Sequence, residues 1–357
     1  MKPLLRTLEI STILFLLTLV VSLPCQALAP SQVETVVSQL RHPVGIAVAS
    51  DGKIYFSQFG LEGCLSVYLP EEGTIKTAIS GLVSPAGVAL APDGTVYVAE
   101  SAKGRLWSYN PKTGKSRVCG ENLQGIWGVA VASDGTIYLT IKGIPSEKNP
   151  EGGKIVRFNP ESGRVETLVS GLYVPYGLDV APNGDLYFVE FGSLKESKGT
   201  LKVLRAETGR VETLLEGLPW PYDVAVAGDG TIYYTVKAGK VYAFKDGGLR
   251  LVAEGFKRLY GVALDPQNVN LYLTEFGSPV GEARDGTIRR ISLQAPSPTQ
   301  TKTVTETVTV TLPSLENLKG SLETLSLMVW LVFATSIIAV AAAVLALTLT
   351  LRKPPRR

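Results

Sequence analysis

Residues 84–100 read SPAGVALAPDGTVYVAE, and this stretch decides the fold of the chain. It holds a short apolar run, the pair Asp93-Gly94, and a second apolar run centred on Tyr97. An Asp-Gly pair between two β-rich runs is the strongest local signal for a hairpin with a two-residue turn. The stretch therefore predicts two neighbouring antiparallel strands.

The same pattern recurs along the 357-residue chain. Its six copies begin at His42, Ser84, Gly125, Val174, Trp220 and Arg258. The equivalent residues Gly45, Gly87, Gly128, Gly177, Asp223 and Gly261 lie 38 to 49 residues apart. A repeat of roughly 40 residues made of short strands and tight turns is typical of a β-propeller with one blade per copy. The sequence therefore predicts an all-β, six-bladed propeller over residues 30–294.

The sixth copy ends after its third strand, near residues 291–293, and lacks an outer strand. A matching strand occurs at the start of the repeats, where residues 33–37 read VETVV. Residues 165–169 and 211–215, which are outer strands of other copies, read VETLV and VETLL. We therefore expect the N-terminal strand to complete the last blade and to close the ring without an open edge.

The two ends of the chain differ from the repeats. Residues 1–29 combine Lys2 and Arg6, an apolar run and a small-residue segment, which is typical of a secretory signal peptide. Cleavage after Ala27 or Ala29, or retention as an N-terminal anchor, are alternatives that the pattern leaves open.

Residues 325–351 are apolar apart from Ser and Thr, and about 20 such residues span a bilayer as a helix. The basic tail at residues 352–357 indicates the cytoplasmic side. Residues 295–324 are rich in Thr and Pro and predict a stalk with a helical lead-in. We expect a single-pass protein of the cell membrane whose propeller is extracytoplasmic.

Charge and composition limit the classes of function that the protein can have. The formal net charge is +3, which argues against nucleic acid as a partner. His42 is the only histidine, which excludes most histidine-based catalysis and metal binding. Cys64 and Cys119 lie in neighbouring copies, so a disulfide between blades and two free thiols are both open alternatives.

The repeat P-x-G-V-A-V-A-x-D-G-T-I-Y resembles those of the NHL-repeat, SMP-30/gluconolactonase-like, strictosidine-synthase-like and virginiamycin B lyase-like propellers. For the SMP-30 type, the resemblance implies a central divalent metal held by acidic and Asn side chains. Here the residue before the repeated Gly is never Asn; it is Val44, Ala86, Trp127, Tyr176, Tyr222 or Tyr260. The histidines of the lyase type and of lactonases, and the Asn-His pair of NHL repeats, are also missing. The resemblance therefore implies the fold and leaves the activity open.

Two groups of residues are candidates for a site around the channel. The second strands of three copies end in Glu100, Glu190 and Glu275, which could bind a cation, recognise a ligand or act as acid and base. Alternatively, each glutamate caps a local loop or pairs with a lysine. Aromatic residues begin the inner strands and suit a sugar, peptide or aromatic ligand, or alternatively pack between blades; they are Trp127, Tyr176, Trp220, Tyr222 and Tyr260.

Two acids break the repeat. Asp223 replaces the repeated Gly, and Asp179 replaces a repeated Ala. A carboxylate in such a place is costly unless it is paired, which indicates a role. Taken together, the favoured hypothesis is a ligand- or protein-binding module at the cell surface, with no cofactor. The alternative is a hydrolase or lyase of a lactone or sugar-like substrate, in which the acidic residues hold a divalent cation such as calcium.

Overall fold

The computed structural model describes residues 33–143, 152–192, 198–278 and 284–294. The strands in these ranges form six four-stranded antiparallel sheets, and no helix occurs in them. Each sheet is one blade, and clusters of buried apolar side chains fill the space between neighbouring blades. The predicted six-bladed β-propeller is confirmed.

The strands follow the repeats of the sequence. The first strand is β1 (Val33–Leu40). Blade 1 contains β2 (Pro43–Val48), β3 (Ile54–Gln58), β4 (Gly63–Leu69) and β5 (Thr74–Leu82). Blade 2 contains β6 (Pro85–Leu90), β7 (Val96–Glu100), β8 (Arg105–Asn110) and β9 (Lys115–Gly120). Blade 3 contains β10 (Ile126–Val131), β11 (Ile137–Ile141), β12 (Gly153–Phe158) and β13 (Val165–Leu172).

The remaining blades repeat this order from the central channel outwards. Blade 4 contains β14 (Pro175–Val180), β15 (Leu186–Glu190), β16 (Gly199–Leu204) and β17 (Val211–Leu218). Blade 5 contains β18 (Pro221–Val226), β19 (Ile232–Val236), β20 (Lys240–Lys245) and β21 (Gly248–Glu254). Blade 6 contains β22 (Leu259–Leu264), β23 (Asn270–Glu275) and β24 (Gly286–Ser292), and β1 is its outer strand.

The ring closes as the sequence predicts. β1 pairs antiparallel with β24, from Val33 opposite Ile291 to Leu40 opposite Gly286. Val37 and Leu40 of β1 are buried and share a core cluster with Ile288 of β24. Blade 6 therefore combines the two ends of the repeat region.

The turn between the first two strands of blade 2 differs from the expected two-residue type. Gly94 N–H donates to Ala91 O at 2.9 Å, and Ala91 N–H donates to Thr95 O at 2.8 Å. Only Gly94 in this turn has a positive φ, of 88°. The loop is therefore a three-residue type I turn followed by a glycine bulge. The equivalent turns that end at Gly52, Gly135 and Gly230 have no proline and show the same bonds, so Pro92 is not the cause. The expectation was wrong because the Asp of each turn keeps a negative φ and its Oδ1 accepts the N–H of the residue after the glycine, in blade 2 from Thr95 at 2.8 Å.

Close approach of the blades explains the repeated glycine of the inner strands. A Cβ on Gly45 would lie 2.3 Å from Ala86 O and 2.7 Å from Val88 N in the next blade. Both neighbours are backbone atoms, which cannot move without shifting the strand. Glycine at this position therefore lets adjacent inner strands come into backbone contact.

Hydroxyl groups tie several blades to their neighbours. The penultimate residue of the second strand donates to a carbonyl of the next inner strand at 2.5–2.6 Å: Ser57 to Ala86, Thr140 to Tyr176, Thr235 to Tyr260, and Thr274 to Val44. Three of these hydroxyls also accept the N–H of the repeated glycine in their own blade. The bond from Thr274 to Val44 joins blade 6 to blade 1.

A left-handed residue precedes every inner strand. These residues are His42, Ser84, Gly125, Val174, Trp220 and Arg258, and their φ values lie between 49° and 103°. Each carbonyl accepts the N–H of the residue that follows the second strand of the same blade. The conformation is thus part of the blade, although only one of the six residues is glycine. For β-branched Val174 this conformation is strained.

We expect Val174→Gly to raise the free energy of unfolding by about 1 kcal/mol. Removal of the Cβ relieves roughly 1–3 kcal/mol of left-handed strain, and the greater freedom of unfolded glycine offsets up to about 1 kcal/mol of that gain. Urea denaturation of the full chain measures the change. Val180→Gly, in a strand of the same blade, is the control and should destabilise, and a loss in V174G as well would contradict the strain.

Both cysteines within the described ranges are free, so no disulfide joins the first two blades. The thiol of Cys119 lies 3.3 Å from Leu106 O, and burial raises its pKa to about 11. The predicted signal peptide, the predicted stalk and the predicted transmembrane segment at residues 325–351 lie outside the described residues. Within the described part of the chain, no helix is long and apolar enough to cross a membrane.

Candidate functional site

One face of the propeller collects the ends of two strands from every blade. The antiparallel register places Pro85, at the start of an inner strand, opposite Glu100, at the end of a second strand. Pro175 and Glu190 are paired in the same way. We call this side the top face, and the three-residue turns lie on the opposite, bottom face. Residues 144–151, 193–197 and 279–283 lie outside the described residues.

Aromatic side chains form a closed circuit across the centre of the top face. Consecutive ring centroids lie 4.1–6.4 Å apart around Phe59, Trp127, Tyr176, Tyr222, Tyr260 and Phe276. We call these six residues the aromatic floor. Most of them pack together with Val44 and Ala86, so they also form an apolar core. The structure thus brings together four of the aromatic residues singled out in the sequence. Trp220 is not part of the aromatic floor; its ring centroid lies 6.5 Å from that of Phe191.

A second ring of residues at this face was missed in the sequence. The residues directly after the second strands are Phe59, Ser101, Lys142, Phe191, Lys237 and Phe276. The amine of Lys142 lies 3.9 Å from the ring centroid of Trp127 and 5.5 Å from that of Tyr176. Within the described ranges no carboxylate pairs with Lys142, and burial lowers its pKa to about 8. The repeated position directly after the second strand was the signal that could have identified this residue.

Two further cations lie over aromatic rings on the top face. Lys237 Nζ is 4.7 Å from the ring centroid of Trp220. Arg258 Cζ is 5.4 Å from that of Phe276. Cations over aromatic faces are attracted by the ring quadrupole. Together with Lys142, they make the surroundings of the aromatic floor cationic.

The three candidate glutamates have a different environment. Glu100, Glu190 and Glu275 are at most 8% exposed. Each accepts a backbone N–H from the segment before its own inner strand, from Val83, Tyr173 and Lys257 respectively. Each also accepts a side-chain bond from the third strand, from Trp107, Thr200 and Thr287. The structure therefore places each glutamate inside its own blade as a local cap.

These caps do not converge on a common point. Among the described residues, no group of three His, Cys, Asp or Glu side chains could hold a metal ion. Gln58 makes the same bond to Arg41 N as the glutamates make, at 3.0 Å, so an amide serves equally well in blade 1. The residues that the sequence suggested for a divalent cation therefore do not fit one. Their role in ligand binding stays a prediction without structural support.

Asp179 and Asp223 line the central channel. They contribute to a cavity of about 360 Å³ that is otherwise lined mainly by small and apolar residues of the inner strands. Asp179 accepts Val226 N–H of the next blade at 2.7 Å, and Asp223 accepts Val262 N–H at 3.0 Å. Burial raises the pKa of Asp179 to about 6 and that of Asp223 to about 7. Both acids therefore connect blades in the channel.

Comparison with known proteins supports the fold and shows no specific family. The sequence matches no family model and no curated protein. The structure is similar to the PQQ-bound form of an aldose sugar dehydrogenase from Streptomyces coelicolor, with TM-score 0.61 and 17% identity, over 74% of this chain and 98% of that one. A gluconolactonase from Xanthomonas campestris gives TM-score 0.58 and 16% identity, over 74% and 93%.

A chain of the nidogen/laminin complex is also similar, with TM-score 0.53 and 16% identity, over 63% of this chain and 86% of that one. The chain shares their fold. The fold implied by the resemblance to gluconolactonase-like propellers is thereby confirmed. The similar structures include both enzymes and a protein complex, so the fold does not decide between catalysis and binding.

Proposed function

We propose that this protein is a binding module whose top face takes an anionic ligand with a flat apolar part onto the aromatic floor. The observation that carries the proposal is the amine of Lys142, which lies 3.9 Å over Trp127 and has no carboxylate partner in the described ranges. A shielded cation without a counter-ion costs stability. A ligand that supplies the counter-ion would recover that cost.

We further propose that the propeller is presented outside the cytoplasm and anchored by residues 325–351. The apolar length of this segment and the basic residues that follow it support the proposal. Alkaline extraction of membranes tests it: the full chain should stay in the pellet, and a chain ending at residue 324 should be released. Release of both chains would contradict the anchor.

The free-energy cost of burying the charged amine of Lys142 can be measured as a difference in the free energy of unfolding. Lys142 has a pKa of about 8 in the folded protein and an ordinary value of 10.5 when unfolded. The unfolded chain therefore binds more protons between these values, and stability rises as the pH increases through this window. Attraction to Trp127 opposes the desolvation, by about 0.5–2 kcal/mol. The difference in pKa corresponds to about 3.4 kcal/mol, so the net cost at pH 7 is about 1.5–3 kcal/mol.

We therefore expect Lys142→Met to be more stable than the wild type at pH 7, and the difference to vanish near pH 10.5. Urea denaturation at both pH values measures it. Lys103→Met changes the same charge at an exposed position after the second strand of blade 2 and should have no effect. A loss of stability in K142M at pH 7 would show that Lys142 stabilises the folded protein and would contradict the proposed cost.

Ligand binding is tested with matched anionic and neutral probes. Benzoate and glucuronate carry a carboxylate beside a ring, and benzyl alcohol and glucose are their uncharged counterparts. Titration of the full chain, followed by tryptophan fluorescence, should show saturable binding of the anionic members. K142M should abolish that binding, and K103M should leave it intact. Equal binding of neutral and anionic probes would overturn the proposed recognition.

A further inference from the structure

The central channel holds charged side chains of one sign only. Its cavity extends from the repeated glycines of the inner strands to Gly228 and Asn268 in the turns of the bottom face. Among the described residues that line it, the charged ones are Asp179, Asp223 and Asp265, and none is a lysine, an arginine or a histidine. A negative charge in the channel therefore has no counter-ion on the described wall of the cavity.

Asp179 and Asp223 each connect two blades. Asp179 accepts the N–H of the next residue in its own strand at 2.8 Å and Val226 N–H of blade 5 at 2.7 Å. Asp223 accepts the N–H of the residue that follows it and Val262 N–H of blade 6, each at 3.0 Å. Blade 4 has Val189 where four other blades carry the hydroxyl that ties them to the next blade. The bond to Asp179 takes the place of that tie.

Asp223 also contacts blade 4, and this brings the two acids close to each other. A Cβ on Gly177 would lie 1.9 Å from Oδ1 of Asp223, so this carboxylate packs on the backbone of blade 4 two residues before Asp179. Asp265 is engaged in its own turn, where its carboxylate accepts the backbone N–H of Asn270 at 3.1 Å and the side-chain N–H at 2.7 Å. Asp179 and Asp223 are therefore the acids that span blades 4, 5 and 6.

The other titratable groups on the strands around this pair are phenols. They belong to Tyr176, Tyr222 and Tyr260 of the inner strands and to Tyr187 and Tyr234 of the second strands β15 and β19. Tyr187 lies opposite Asp179, and Thr235 lies opposite Asp223. The inner strand of blade 3, β10, has no titratable side chain. Phenols ionise near pH 10, so they carry no charge in the range in which carboxyl groups titrate.

Burial favours the uncharged form of both acids. Each side chain is partly accessible from the cavity, but the inner strands that line the cavity limit the water that can solvate a charge. Burial raises the pKa of Asp179 to about 6 and that of Asp223 to about 7, where repulsion from Asp179 adds to the rise; the N–H bonds oppose it. The ordinary pKa is 3.8, so the folded protein binds more protons than the unfolded chain between about pH 4 and pH 7. The resulting stabilisation is complete below about pH 4 and is lost as the pH rises to about 7.

We propose that Asp179 and Asp223 form a pH-sensitive switch in the channel. With a proton on each carboxyl group, blades 4, 5 and 6 are held together most firmly. Loss of these protons near neutral pH leaves two charges without a counter-ion in the channel and weakens the ring, because a buried charge without a partner is costly. This inference goes beyond the proposed function, since neither acid belongs to the aromatic floor and the switch would act even if the floor bound nothing.

Asp179→Ala and Asp223→Gly test the switch, because alanine and glycine occupy these positions in the other five blades. Urea denaturation of the full chain between pH 4 and pH 8 compares the wild type with the double variant, so that the titration of all other groups cancels. The wild-type midpoint should fall relative to that of D179A/D223G up to about pH 7 and then stay level, with a slope at pH 5 of about one to two protons. Glu161→Gln changes an exposed carboxylate and should keep the wild-type dependence.

Infrared spectroscopy of the folded wild type keeps the proposal testable if the double variant does not fold. At pH 5 the wild type should show the absorption band of protonated carboxyl groups, and this band should disappear at pH 8. The single variants D179A and D223G should each lose part of the band. The proposal would be overturned by a difference in urea midpoint that does not change with pH, or by the absence of the band from the wild type at pH 5.

Discussion

Glu190→Leu should lower the free energy of unfolding by about 3 kcal/mol, because the substitution leaves several buried partners unpaired. Glu190 accepts Tyr173 N–H and the hydroxyl of Thr200, each at 2.8 Å, and lies 2.6 Å from Lys202 Nζ. Its side chain is 6% exposed and that of Lys202 is 21% exposed, so little water can replace the lost carboxylate. Urea denaturation of the full chain measures the loss.

Glu166→Leu is the matched control. Glu166 also pairs with a cation, Arg157, at 2.7 Å, but its side chain is 42% exposed. Exposed pairs contribute little, so the urea midpoint of E166L should stay close to that of the wild type. If E190L unfolded at the same urea concentration as E166L, the local cap would not stabilise blade 4, and a role of Glu190 at the top face would regain support.

Thr274→Val should destabilise the protein by about 3 kcal/mol while preserving the shape of the side chain. The hydroxyl of Thr274 donates to Val44 O at 2.6 Å and accepts Gly261 N–H at 2.7 Å. Thr274 is fully buried, so its removal leaves a donor and an acceptor unsatisfied, at about 1–3 kcal/mol each. The affected bond joins the last blade to the first.

Thr77→Val supplies the comparison for this prediction. Thr77 is exposed in the outer strand of blade 1, where valine suits a strand equally well, so its stability should change by about 0.5 kcal/mol or less. Guanidinium denaturation of both variants and of the wild type measures the two changes in stability. Equal midpoints for T274V and T77V would show that the hydroxyl does not contribute to closure of the ring.

The fold was predictable because each blade repeats the same local signals. The Asp93-Gly94 pair and its equivalents placed the turns, and the VETVV segment at residues 33–37 identified the strand that closes blade 6. The turn type was not predicted correctly, because the Asp-Gly pair was interpreted without the bond that the Asp side chain accepts from the residue after the glycine. The left-handed residues before the inner strands were missed, because their types share no preference for positive φ.

The site was predictable only in part. The aromatic residues before the repeated glycine share one position, so their convergence followed from the symmetry of the ring. The glutamates also share one position, but the sequence does not show whether a carboxylate turns towards the channel or back towards Val83 or Tyr173 N–H. The occurrence of Gln58 at the same position was a signal for the second alternative. Lys142 was missed because its position carries different residue types in different blades.

The ties between blades are unequal, and this has a mechanical consequence. Hydroxyl bonds or channel aspartates join blades 1 and 2, 3 and 4, 4 and 5, 5 and 6, and 6 and 1. At the junction of blades 2 and 3, Ala99 occupies the hydroxyl position, and among the described residues packing of apolar side chains takes the place of such a tie. Under load, the seam between blades 2 and 3 therefore depends on apolar packing where the other seams add a hydrogen bond, and the junction that joins the two ends of the chain is one of the reinforced seams.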